Sequence, residues 1–306
     1  MGDTMYHPER IGDWGAPAAV AGGAYGEDLL PLADGVKLFY RFWQAPDPSA
    51  PTVVFLHGLG AHSGWFIDFG NALNARGLSV YMDDHRGFGR SEGPRGHVRD
   101  ATVYPRDVLA FLGEVRRRRP DAPLFLVGHS MGGIFATYVA AADAASALPS
   151  QLVRGLILVN PWVKDVVKVT PGQAIPGMIG GMFGSSKPFA LKVNTAIMTK
   201  NPEATSLLDA DTYWVRNQSR AFLYQVIRMR GAMPKRAAQV RMPTLVIQCE
   251  GDTTLSQAAT RAFYDRLGSA DKTYKTYPGF AHDFEFEPGR SVLDDDIADW
   301  ILQHRA

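Results

Sequence analysis

Cysteine occurs once in 306 residues, at Cys249. That excludes an internal disulfide and a zinc site of the multi-cysteine kind, and it points to a reducing, cytoplasmic setting. Charge of one sign is lacking too. The 32 basic and 31 acidic side chains leave a formal net charge of +1, which offers no general attraction for nucleic acid or an anionic membrane. No uninterrupted apolar run reaches the roughly 18 residues that a membrane-spanning helix needs. The opening Met1-Gly2-Asp3-Thr4-Met5-Tyr6 has neither a basic nor an apolar signal region, so no secretory leader is expected. Tyr6 stands where a myristoylation signal would want Ser or Thr. Internal repeats and low-complexity tracts are missing as well.

What remains is a chain that is 46% hydrophobic, which excludes disorder and fits one large domain carrying an insertion. Residues 1–34, rich in Gly, Ala and Pro at the start, read as an irregular lead-in. Short apolar strands then alternate with helical stretches. The strands are expected at 36–43, 52–57, 78–82, 124–127, 156–159, 244–249 and 273–277, and the helices near 65–76, 104–119, 131–145, 256–267 and 291–302. Continuous apolar runs such as Val53-Val54-Phe55-Leu56 predict a sheet covered on both faces. The alternation predicts an α/β fold with a mostly parallel sheet flanked by helices. The rhythm breaks after Asn160, where over eighty residues pass without a clear strand. This interval is too long for a loop and predicts a helical cap over the sheet, at 161–239, with the core at 35–160 and 240–306. The first part of the cap is dense in Gly, Pro, Met and Ile, and 202–230 reads as two helices.

The strongest local signal is Gly128-His129-Ser130-Met131-Gly132. It follows an apolar strand and opens a helix, the context in which a tight turn projects a serine at the carboxyl edge of a sheet. A hydroxyl near neutral pH is a weak nucleophile, so Ser130 needs a base, and the base needs an acid to orient it. Among the eight histidines, His282 lies between a strand and the last helix. Asp252 closes the strand at 244–249, in Glu250-Gly251-Asp252. Glu250 and Asp283 compete as the acid, the first too near the strand end and the second adjacent to the base. An oxyanion hole needs two backbone N–H donors. Met131 supplies the amide after the nucleophile, and Leu59, in His57-Gly58-Leu59-Gly60, supplies one from an earlier strand end.

Other features have plainer readings. Asp83-Asp84-His85 reads as a hydrogen-bonded turn rather than a metal site, because neighbours on a strand end point apart. Arg116-Arg117-Arg118-Arg119 reads as a solvated helix end, where cations meet the negative pole of the helix. Met178, Ile179, Met182, Phe183 and Phe189 form either packed core or an adaptable wall for an acyl chain, with a lid that dips into lipid. Cys249 reads as an inert core residue.

Taken together these residues resemble the α/β-hydrolase superfamily, and within it the monoacylglycerol lipase and lysophospholipase branch, grouped with the serine aminopeptidase type. The resemblance covers about residues 35–304. It is carried by His57-Gly58-Leu59-Gly60 with His62-Ser63, by Asp84-His85-Arg86-Gly87-Phe88-Gly89-Arg90-Ser91 with Glu92-Gly93, and by Arg95-Gly96-His97-Val98. Gly128 to Gly133, Gly251-Asp252 and His282 complete it, and Met198-Thr199-Lys200-Asn201-Pro202 in the cap is also similar. One departure is Leu255, where the family often has valine. The resemblance implies the α/β-hydrolase fold and ester hydrolysis through a Ser130 acyl-enzyme, with His282 as base and then acid and Asp252 as its orienter. It implies no metal or organic cofactor, a single-chain lipid ester as substrate, and transient membrane or micelle contact through the cap. Lysophospholipid hydrolysis, short-chain esterase activity, C–C bond hydrolysis and non-catalytic binding remain alternatives on the same fold.

Overall fold

The computed structural model describes residues 25–145, 152–166, 171–189 and 195–306. Most of the expected lead-in and parts of the expected cap, 167–170 and 190–194, lie outside them. Eight strands form one sheet: β1 (Gly26–Pro31), β2 (Lys37–Trp43), β3 (Thr52–Leu56), β4 (Ser79–Asp83), β5 (Leu124–His129), β6 (Gly155–Val159), β7 (Thr244–Cys249) and β8 (Lys272–Tyr277). Their order is β1-β2-β4-β3-β5-β6-β7-β8. β2 runs antiparallel to β1 and β4, and the pairings from β4 through β8 are parallel.

β1 corrects the irregular lead-in. Its residues are half-buried to exposed, so little in its own sequence calls for a strand. It forms because residues 26 to 31 pair in unbroken register with β2, from Gly26 opposite Phe42 to Pro31 opposite Lys37. As an edge strand it tolerates Pro31, whose missing N–H would break an inner ladder.

Helices cover both faces. Val54, Leu56, Leu126 and Leu158 face one layer with α2 (Val103–Arg118) and α3 (Met131–Ala145). Val53, Phe55, Phe125 and Val127 face the other, with α1 (Ile67–Ala75) and, at the chain's end, α8 (Ser291–Gln303). Each of these strand side chains is fully buried, worth about 1.5–3 kcal/mol apiece in removed apolar surface. This two-sided burial explains why the central strands read as continuous apolar runs rather than alternating ones.

Between β6 and β7 stand α4 (Pro171–Met182), α5 (Pro202–Ala210) and α6 (Arg220–Ala237); α7 (Gln257–Asp265) follows β7. The two helices expected in 202–230 are α5 and α6. The sequence does not predict α4, since four glycines and an internal Pro176 argue against a helix. Those glycines serve packing instead. A Cβ on Gly177 would come within 2.5 Å of Phe189, and one on Gly181 within 2.4 Å of the Tyr224 Cβ. Close approach of α4 to α6 and to Phe189 therefore outweighs weak propensity.

The arginine run at the end of α2 is engaged locally. Arg117 and Arg118 pair with Glu114, while Arg116 donates to the carbonyls of Pro120 and Ala122. Asp84 accepts from the Ser63 N–H, the Ser63 hydroxyl and the Arg90 N–H, and Asp83 meets His85 at 2.9 Å. These carboxylates close a turn.

Candidate active site

Ser130 sits between β5 and α3 with φ at +50°, a left-handed conformation that is strained for a residue with a side chain. The glycines around it make room for the turn. A Cβ on Gly132 would stand 2.2 Å from the Leu56 carbonyl oxygen, and one on Gly128 would stand 2.7 Å from the Gly132 oxygen. Backbone bonds hold the strained residue: Ser130 N–H donates to Val159 O at 3.1 Å, and its carbonyl accepts from Trp162 N–H at 3.0 Å.

The three sequence-predicted polar residues converge. His282 Nε2 lies 2.9 Å from Ser130 Oγ, and His282 Nδ1 lies 2.7 Å from Asp252 Oδ2. The other Asp252 oxygen, Oδ1, accepts from Thr254 N–H at 2.7 Å, Thr254 Oγ1 at 2.6 Å and Leu255 N–H at 3.2 Å. Burial alone would raise the Asp252 carboxyl, but the His282 charge and these bonds outweigh it and hold it at about 2. Burial likewise works against a charged His282, yet Asp252 reverses the sign and raises the imidazole to about 9, with Asp283 adding to the effect. Glu250, the first competing acid, is exposed. Asp283, the second, is buried and points one carboxylate oxygen at no partner among the described residues.

Two supports were not visible in the sequence. Asn160 directly follows β6 with φ at +42°, donates from Nδ2 to the His282 carbonyl at 2.8 Å and accepts from Cys249 N–H at 2.7 Å. His129 donates from Nε2 to the same His282 carbonyl at 3.1 Å. Burial, followed by the nearby His282, depresses the His129 imidazole to about 3 and keeps it neutral. A left-handed Asn at a strand end is a recurrent turn signal, but nothing local says which loop it will hold. Among the described residues one group, His129, His282 and Asp283, brings potential metal-ligand atoms within 4.8 Å of one another. Both His282 nitrogens already face Ser130 and Asp252, so little of that set is left for an ion.

Leu59 lies beside the serine: a Cβ on the preceding Gly58 would be 3.2 Å from the Ser130 Cβ. Neither Leu59 N–H nor Met131 N–H has a hydrogen-bond partner among the described residues. The loop around Leu59 is fastened to the insertion, since Val215 N–H donates to Gly60 O at 3.0 Å and His62 Nε2 meets Asp211 Oδ2 at 2.9 Å.

Above Ser130 and His282 opens a cavity of about 510 Å³. Its walls are mostly apolar, with Leu59, Trp65, Met198, Trp214, Leu223 and Ile227 prominent. Of the four expected substrate contacts, Met178 and Phe189 line it. Met182 and Phe183 do not, because they fall at the exposed end of α4, 56% and 78% accessible. Trp65 and Trp214 went unrecognised because an aromatic's spacing does not reveal which of two packed surfaces it joins.

A nucleophile elbow, a buried acid and a bridging histidine at the carboxyl edge of this sheet define an α/β-hydrolase of the serine type. The comparisons agree. The model described as serine aminopeptidase, S33, matches residues 47–289, and the chain belongs to that family. It is 30% identical over 273 residues to a monoacylglycerol lipase of Mycolicibacterium smegmatis, covering 88% of this chain and 94% of that protein. It is 29% identical over 281 residues to the monoglyceride lipase of Homo sapiens, covering 90% and 89%. The fold matches a soluble variant of the Saccharomyces cerevisiae monoglyceride lipase, solved with a substrate analogue, at a TM-score of 0.81 and 21% identity, over 95% of this chain and 98% of that one.

Proposed function

We propose that this protein is a carboxylic ester hydrolase that cleaves monoacylglycerols through an acyl-enzyme on Ser130. The observation that carries the reading is the bridge from Asp252 through His282 to Ser130, at the floor of an apolar cavity sized for a lipid chain. In this mechanism Asp252 keeps the His282 proton on Nδ1, leaving Nε2 free to accept the Ser130 hydroxyl proton as Oγ attacks the ester carbon. The Leu59 and Met131 amides donate to the oxyanion that forms. His282 then returns the proton to the departing glycerol oxygen. Water, deprotonated by the same nitrogen, releases the fatty acid and restores Ser130.

The insertion acts as the cap that shelters the acyl chain. Met178, Ile179, Met182 and Phe183 give α4 an exposed apolar row, 54 to 78% accessible, and this row makes transient contact with a lipid surface. No helix among the described residues is long and apolar enough to cross a membrane, so the contact is peripheral. Replacing both Met182 and Phe183 by Ser reduces co-sedimentation with phosphatidylcholine vesicles several-fold. Unchanged sedimentation removes the lipid-contact role from α4.

Hydrolysis of matched monoacylglycerols, lysophosphatidylcholines and p-nitrophenyl esters from four to sixteen carbons tests the substrate. Fastest turnover of the glyceryl esters at medium or long chain is expected. Preference for lysophosphatidylcholine makes the protein a lysophospholipase, and butyryl-only turnover makes it a short-chain esterase.

A further inference from the structure

The cavity wall contributed by the insertion is not simply apolar. α6 carries five basic residues, Arg220, Arg228, Arg230, Lys235 and Arg236, and no acidic one. Arg230 pairs with Asp165 and Arg236 lies 3.7 Å over the Tyr138 ring. Arg228 stands 5.7 Å over the Tyr224 ring and acts on the Asp100 charge, but like Arg220 it forms no ion pair among the described residues. Both line the active-site cavity, and no carboxylate among the described residues lies within ion-pair distance of either. The buried Nε of Arg220 has no hydrogen-bond partner among these residues. Its side chain runs along α4, where a Cβ on Gly180 would meet the Arg220 Cδ at 3.0 Å. A neighbouring cation, Arg216, is already engaged, donating to the carbonyls of Leu208, Asp209 and Asp211.

These two guanidinium groups are spaced along one side of the helix. Residues 220, 224, 227 and 228 fall at i, i+4, i+7 and i+8, on one face of the helix. Arg220 and Arg228 are therefore about 12 Å apart along the axis, with Leu223, Tyr224 and Ile227 between them on the cavity wall. The acids that also line the cavity do not neutralise this wall. Asp165 is held by Arg230, and Asp283 lies beside His282, whose charge it faces. A guanidinium in the wall of a largely apolar cavity is a strong site for an oxygen acid, because its planar fork matches carboxylate and phosphate oxygens.

We propose that the cavity is built for single-chain esters bearing an anionic oxygen acid away from the scissile bond, held by Arg220 with Arg228 as second cation. The acid is either the phosphate monoester of a lysophosphatidic acid head group or a carboxylate at the far end of the acyl chain. The proposal rests on ester hydrolysis at Ser130 as read above and narrows its substrate class.

The test compares kcat/KM for three esters of equal chain length, each below its micelle concentration: 1-lauroylglycerol, 1-lauroylglycerol 3-phosphate and the glyceryl monoester of dodecanedioic acid. They are assayed with the wild type, Arg220→Gln, Arg220→Lys and Arg228→Gln, each checked for an unchanged unfolding midpoint. One anionic ester should be preferred over the neutral one by about tenfold or more, as a charge-assisted bond implies, and Arg220→Gln should erase that ratio while Arg220→Lys keeps part of it. Dodecyl phosphate should compete with substrate in the wild type more strongly than dodecanol, and lose that advantage in Arg220→Gln. A preference for the phosphate ester alone places the acid at the head group, and a preference for the dicarboxylate places it at the chain end. An anionic-to-neutral ratio that is the same in the wild type and both Gln variants overturns the proposal, even if 1-lauroylglycerol is hydrolysed well. If 1-lauroylglycerol is inert and an anionic ester is cleaved in an Arg220-dependent way, the monoacylglycerol reading falls and the anionic one stands.

Discussion

Asp252→Asn is the substitution whose consequence follows most directly from the geometry. In the native site one carboxylate oxygen faces His282 Nδ1 at 2.7 Å, while the other accepts from two backbone N–H groups and the Thr254 hydroxyl. An asparagine can keep only one oxygen. Turning its NH2 toward Thr254 and Leu255 would leave two buried backbone donors unsatisfied, at about 1–3 kcal/mol each. The amide oxygen therefore stays in that cradle and the NH2 points at the imidazole. His282 must then accept at Nδ1 and carry its proton on Nε2, where it can no longer take the Ser130 hydroxyl proton. The shape of the site survives and its chemistry does not. Loss of the productive tautomer costs about 10,000-fold in kcat, or about 5.4 kcal/mol of transition-state stabilisation. Steady-state fatty acid release measures it, with thermal unfolding as the control for folding. A loss smaller than about tenfold in a folded variant would refute the assigned role of Asp252.

Two further outcomes follow from the same site. His282, the proposed base, must be neutral to act, and Asp252 and Asp283 raise it to about 9, so kcat/KM should fall as pH is lowered, with a midpoint above the ordinary histidine value of 6.5. A profile flat from pH 9 down to about pH 5 would contradict His282 as base, and Asp283→Asn should move the midpoint downward. Gly132→Ala forces a methyl to within 2.2 Å of the Leu56 carbonyl. Overpacking of this kind costs about 1–3 kcal/mol or more, so a lowered unfolding midpoint is expected together with loss of activity, and a variant of native stability would show that the elbow can relax.

The parts of this molecule that were legible in the sequence are those where one local requirement dominates. The central strands announce themselves because burial on both faces leaves no polar alternation. Ser130, Asp252 and His282 could be named because each closes a strand, and their convergence within 3 Å is what the parallel order of β5, β7 and β8 produces. Features that depend on a distant partner were not legible. β1 exists through its register with β2, and α4 exists because Gly177 and Gly181 let it approach Phe189 and Tyr224. Met182 and Phe183 looked like cavity wall by composition, but residue type does not fix which face of α4 turns inward. Asn160, an ordinary strand-end residue by sequence, carries the His282 loop only because β6 lies beside β7. The arginines of α6 carry no signal in the sequence, because spacing alone does not say which face of that helix turns to the cavity.

Capture of the acyl-enzyme tests the central claim most directly. The protein is mixed rapidly with an activated lauroyl ester, quenched in acid within milliseconds and digested, and the peptide spanning Ser130 is weighed. Ser130 should carry one lauroyl group, and Ser130→Ala should carry none while its turnover falls by about five to six orders of magnitude. Label on another residue, or near-normal turnover by Ser130→Ala, would contradict the mechanism.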